Sequence, residues 1–121
     1  MFRYYNANPR SRNVNDCTVR AISLATGRTW DATYEELTKY AQAQAIMPDD
    51  VVHIDEYLRR RYDLVCDCEG LQITVEEFVK RHPYGIFLIT MAGHITCSIN
   101  GVIYDTFDPS SRFIWEAYRV K

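Results

Sequence analysis

No apolar run in this chain approaches the roughly 18 residues that a membrane-spanning helix needs. The opening Met1-Phe2-Arg3-Tyr4-Tyr5-Asn6 also lacks the apolar core of a secretory signal, so a cytoplasmic, reducing setting without membrane contact is the expectation. Charge of one sign is missing too. A net charge of -2 leaves neither the basic footprint of a nucleic-acid binder nor an acidic tail. Cysteine is sparse, with four residues, and in the absence of a secretory signal free thiols are expected rather than two disulfides. Cys66-Asp67-Cys68 is tighter than the usual gap of about two to four residues between zinc ligands, and no other cysteines or histidines form a second close pair. A structural zinc is therefore not expected. Internal repeats, low-complexity tracts and linkers are absent as well.

What is present is ordinary core material. Apolar residues make up 47% and charged residues 25%, the balance of a folded protein, and 121 residues suffice for a single domain spanning 1–121. The nine tyrosines, several beside charged residues, suit either a ligand-facing surface or the commoner arrangement of a buried ring with a wet hydroxyl.

The first dozen residues are polar and turn-rich and read as an extended arm. Asp16 is placed to cap a helix over Thr18–Ala25 that carries Val19, Ile22 and Leu24 and ends at Gly27. A second helix starts near Asp31, with Tyr34, Leu37, Tyr40 and Ala41 at helical spacing. A third follows Pro48-Asp49-Asp50, carries Ile54, Tyr57 and Leu58, and closes on Arg59-Arg60-Arg61. Tyr62–Asp67 reads as a short strand, and Thr74-Val75-Glu76-Glu77 as a capping box opening a fourth helix. Beyond Pro83 the period changes. Strands are predicted over Gly85–Thr90, His94–Ile99, Val102–Phe107 and Phe113–Val120, with Asn100-Gly101 turning a hairpin. Helices first and strands last define an α+β fold, N-terminal helices packed on a C-terminal antiparallel sheet.

Two segments carry chemistry. Cys17 falls in the first turn of the first helix, where unpaired N–H groups and the helix dipole favour a thiolate. A two-residue loop at Asn100-Gly101 pairs Cys97 with Tyr104 and Thr96 with Asp105. His94 and Asp105 then share a face as diagonal neighbours, at roughly 7–8 Å between backbones. A bulged three-residue loop would instead bring Asp108 opposite His94. A thiol titrates near about 8.5, but an imidazolium and a helix start lower that to roughly 3.5–7.5. Cys17 is thus the candidate nucleophile, His94 the base and Asp105 the acid that orients it, with Asp108 the alternative acid. The Cys17 N–H and a side-chain amide, from Asn13 or Asn15, are the oxyanion candidates.

Asp16-Cys17-Thr18-Val19-Arg20-Ala21-Ile22, Gly93-His94 and Gly101-Val102-Ile103-Tyr104-Asp105-Thr106-Phe107-Asp108 resemble the corresponding segments of small papain-like cysteine peptidases, and in particular short uncharacterised proteins encoded by bacteriophages. An aspartate directly before the nucleophilic cysteine is also similar to peptidase domains that trim bacteriocin leaders. The resemblance implies a papain-like fold and a thiol hydrolase cleaving a peptide, isopeptide or related amide bond. Its nucleophile would be Cys17, its base His94, its acid a later residue, with no metal or cofactor. Its partner would be a peptide or protein substrate, met in the host cytoplasm if the chain is phage-encoded. Two departures stand out: Ser11 occupies the place of the family's oxyanion glutamine, about six residues before the cysteine, and the chain is short for such an enzyme.

Each of these residues also has a plainer reading. Cysteine on a helix is commonly a small buried apolar residue. Asp105 and Asp108 suit turn capping, and Arg20 suits a solvated helix position, a partner for Asp16, or a clamp on a substrate carboxylate. Two alternative functions follow. One is a catalytically inactive papain-fold adaptor binding a host or phage protein. The other is a helix-turn-helix-like nucleic-acid binder built from the first two helices, opposed by Asp31, Glu35 and Glu36 on the would-be recognition helix. Oligomeric state leaves no mark in the sequence.

Overall fold

The computed structural model describes the backbone of residues 1–121 and every side chain except those of residues 51–53. Helix α1 (Cys17–Thr26) ends where Gly27 turns left-handed, at φ +71°, and its N–H closes on the Leu24 carbonyl. Only a residue without a Cβ enters that conformation freely. Helix α2 (Trp30–Gln44) begins one residue before the expected Asp31 because the Thr29 hydroxyl accepts from the Ala32 N–H at 3.0 Å. Helix α3 spans Val51–Arg61, with three arginines in the last turn. Helix α4 (Val75–Arg81) is capped as expected, Thr74 Oγ1 accepting from the Glu77 N–H.

Six strands form one sheet: β1 (Phe2–Tyr4), β2 (Asp63–Asp67), β3 (Ile86–Met91), β4 (His94–Ile99), β5 (Val102–Asp105) and β6 (Ile114–Arg119). Their order is β1-β5-β4-β3-β6-β2. The α+β class holds, but two parts of the expectation are corrected. The sheet is mixed rather than antiparallel, because β1 from the supposed arm pairs parallel with β5. The Met1 carbonyl accepts from the Ile103 N–H and the Tyr5 N–H donates to the Asp105 carbonyl, so β5 does not present an open edge. A three-residue strand is too short to announce itself by alternation. Helices also cover both faces. One core lies between α1–α3 and the face carrying Leu88, Ile95, Cys97 and Tyr118. A second lies between α4, through Val75, Phe78 and Val79, and the face carrying Phe87, Ile89, Ile103 and Ala117. Among the described residues no helix is long and apolar enough to cross a membrane.

The β4–β5 hairpin has the expected register, with Cys97 opposite Tyr104, Ser98 opposite Ile103 and Ile99 opposite Val102. Asn100 and Gly101 both take positive φ, +47° and +79°, the backbone of a type I′ turn, which matches the right-handed twist of the strands. Strand β5 stops at Asp105, two residues earlier than expected.

The expectation of free thiols at every cysteine is also corrected. Residues i and i+2 of a strand share a face. At the end of β2 this brings the sulfurs of Cys66 and Cys68 into contact with their Cα atoms 5.5 Å apart, a disulfide separation. Cys17 and Cys97 are the free cysteines.

Candidate active site

Helix α1 lies along β4, and its first residue, Cys17, stands at the level of His94 and Ile95. Cys17, His94 and Asp105 are all buried, with 7%, 5% and 3% of their surfaces exposed. His94 Nε2 and Asp105 Oδ2 are 2.7 Å apart. The expected diagonal pair is therefore closed by a direct hydrogen bond. Burial alone would raise the Cys17 thiol pKa. It is outweighed by hydrogen bonds from His94 and the Ile95 backbone N–H and by the charges of His94 and Arg20, so the thiol titrates below its ordinary range. Burial likewise works against the charged imidazole, but Asp105 and Cys17 raise His94 to about 9. Asp105 is held below the usual carboxylate range despite its burial, by the His94 hydrogen bond and charge and by the Thr106 N–H at 2.7 Å. The imidazole is thus charged at neutral pH, and the thiol beside it is shifted towards the thiolate. Cys97, the other free thiol, is pushed by burial to about 12 and is inert by comparison.

Asp108 does not meet His94. Its carboxylate accepts from the Ser110 N–H at 3.0 Å and from the Ser110 hydroxyl, closing an exposed turn. Phe107 packs on the imidazole instead, ring centroids 4.6 Å apart, and screens it from water.

Asp16 occupies the cap position of α1, yet its side chain makes no capping hydrogen bond. It accepts from Arg20 Nε at 2.7 Å, Trp30 Nε1 at 2.9 Å and Asn8 Nδ2 at 3.1 Å. The carboxylate is thus turned away from the first-turn N–H groups beside the sulfur. Arg20 bridges this network to the other, its Nη1 reaching Asp105 Oδ1 at 3.2 Å and the Thr106 hydroxyl at 3.1 Å. Two carboxylates therefore share one largely buried guanidinium. The i,i+4 spacing of Asp16 and Arg20 announces half of this arrangement. The Arg20–Asp105 bond, across 85 residues, and the roles of Asn8 and Trp30 had no signal in the sequence.

Of the oxyanion candidates, Asn15 lines the cavity that Cys17 opens onto, while Asn13 lies exposed in the preceding segment. Ser11 is an exposed turn residue with φ +53°, and its N–H donates to the Asn8 carbonyl. Among the described residues, no three His, Cys, Asp or Glu side chains group so as to hold a metal ion. No protein-family model matches this chain, and no curated protein or solved structure matches it significantly.

Proposed function

We propose that the protein is a papain-like thiol hydrolase cleaving a peptide, isopeptide or related amide bond. The observation that carries this reading is the juxtaposition of Cys17 at the start of α1 with a His94–Asp105 pair hydrogen-bonded at 2.7 Å. The Cys17 thiolate attacks the acyl carbon, forming the C–S bond while the carbonyl electron pair moves onto oxygen. First-turn N–H groups of α1, left free of the Asp16 carboxylate, stabilise that oxyanion, with the Asn15 amide as a further donor. Collapse of the adduct breaks the C–N bond as the His94 imidazolium protonates the leaving amine. The now neutral His94 then takes a proton from water. The resulting hydroxide attacks the acyl carbon and expels the Cys17 thiolate, restoring the starting pair. Asp105 fixes the orientation of the imidazole and stabilises its charge throughout. A reducing cytoplasm, the host's for a phage-encoded chain, suits a nucleophile of this kind.

The test combines labelling with product analysis. Iodoacetamide at pH 6 is expected to modify Cys17 at least about 30-fold faster than Cys97, and His94→Ala to abolish the difference. A peptide library incubated with the protein is expected to yield new amino termini that disappear with Cys17→Ala. Equal labelling of the two thiols, or a library unchanged by the wild-type protein, overturns the reading; the second result favours the inactive adaptor.

A further inference from the structure

Cys17 opens onto a cavity of about 210 Å3, walled by Val14, Val19, Trp30, Tyr34 and Pro48, with Asp49 among its lining residues. The walls are mostly apolar, and two of them, Val14 and Tyr34, are about half exposed. Exposed apolar groups gathered around a concave site next to a nucleophile are what a ligand-binding pocket requires. The aromatic wall is set in advance. Trp30 and Tyr34 stack with centroids 5.1 Å apart and planes at 11°. The Trp30 indole N–H is tied to Asp16, the residue directly before the nucleophile. Asp16, also on the lining, brings no unpaired charge, since Arg20, Trp30 and Asn8 already occupy its oxygens.

The position of the cavity relative to His94 fixes which part of a substrate enters it. A leaving amine must lie within reach of the imidazolium that protonates it. Among the described residues the cavity lining comes from positions 14–19, α2 and 48–49, and takes nothing from β4 or β5. It therefore borders Cys17 from the side of α2 rather than from the strands that carry the imidazole, the side open to the acyl half of a substrate.

We propose that this cavity is the principal specificity pocket and receives the side chain of the acyl-side residue next to the scissile bond, an aromatic or large aliphatic one. The inference rests on the hydrolase reading of Cys17. Size agrees, since a cavity of roughly 150 Å3 holds a benzene ring. Charge agrees as well: Asp49 on the lining disfavours an acidic side chain.

The experiment compares inactivation of Cys17 by peptidyl chloromethyl ketones that differ only in the residue beside the ketone, with iodoacetamide as a reagent too small to use the pocket. Phe and Leu reagents are expected to react at least about 10-fold faster than the Gly and Asp reagents, the discrimination that an apolar pocket supplies. Tyr34→Ala is expected to reduce the Phe preference several-fold, and Val14→Trp to abolish it by filling the mouth. For each variant the reagent rates are read relative to that variant's own iodoacetamide rate. Rapid iodoacetamide labelling with a flat reagent series overturns the pocket and spares the hydrolase reading. Slow labelling of Cys17 by iodoacetamide overturns both. Substrate selectivity that follows the leaving-side residue instead overturns the assignment of sides.

Discussion

Replacing Asp105 with asparagine removes one negative charge from the site while keeping its shape, and its consequence for the thiol can be worked out. The side-chain carbonyl oxygen of the new amide can still accept from the Thr106 N–H, and Arg20 keeps its bond to Asp16. What is lost is the anion 2.7 Å from His94 Nε2. His94 is raised from 6.5 to about 9, with Asp105 the leading cause of the rise and Cys17 the next. At about 1.4 kcal/mol per pKa unit, the whole shift amounts to about 3.4 kcal/mol of preference for imidazolium. Assigning somewhat more than half of it to Asp105 gives about 2 kcal/mol, or about 30-fold in the thiolate–imidazolium equilibrium. The sign fixes the pH window. With imidazolium weakened, the difference opens where His94 loses its proton in the variant and keeps it in the wild type, so iodoacetamide labelling of Cys17 in Asp105→Asn should fall several-fold between about pH 7 and 9 and change little at pH 6. Near pH 10, where the thiol ionises without help, the rates should converge. Asp108→Asn should leave the whole profile unmoved, since its carboxylate serves only the Ser110 turn. A loss that is the same at every pH, or an equal loss in Asp108→Asn, would refute the argument that Asp105 acts by charging His94.

Three further outcomes follow from the same geometry. Arg20→Ala leaves Asp16 and Asp105 without their shared cation and should lower unfolding stability in urea by about 3 kcal/mol, the lower end for a broken buried ion pair because both carboxylates keep other donors. Gly85→Ala should cost several times the roughly 1 kcal/mol expected of Gly101→Ala. Its φ is +101° and an added Cβ would stand 2.8 Å from the Lys121 carbonyl oxygen, whereas at Gly101 the nearest atom is an ordinary 3.6 Å away; thermal unfolding of the two variants checks the order. Asp55 is raised to about 6, first by burial and then by the Glu116 charge, so the folded state holds that proton more tightly than the unfolded chain and loses stability as pH rises from about 4 through 6. Asp55→Asn should therefore gain about 1 kcal/mol at pH 7, after discounting for solvent screening, and the gain should vanish below pH 4 in chemical denaturation.

Local signals located most of the elements. Gly27, Thr74 and Asn100-Gly101 act through their own backbone or a partner within a few residues, so the end of α1, the start of α4 and the hairpin register could be read before any tertiary contact was known, whereas the Thr29 cap of α2 was passed over for Asp31. Because a two-residue loop leaves one register, the His94–Asp105 pair was legible as well. Asp16 takes the cap position expected of it, but its side chain does not make the capping hydrogen bond. A carboxylate at a helix start normally takes the nearest N–H groups, but here Arg20, Trp30 and Asn8 converge on it from three segments. That competition is settled by packing.

By itself, then, the sequence determined the α+β class, the order of the helices and later strands, and the placement of a cysteine at a helix start with a histidine and an acid in register on a hairpin. Those features depend on periodicity, turn chemistry and spacing along one stretch of chain. The tertiary structure alone decided that β1 closes the β5 edge, that α4 covers the second face of the sheet, that Cys66 meets Cys68, and that Arg20 joins two carboxylates 89 positions apart around the thiol. Apart from the Cys66–Cys68 contact, which lies within one stretch of chain, each of those is a contact between segments with no local pattern in common, fixed only when burial of the two cores brings the segments together.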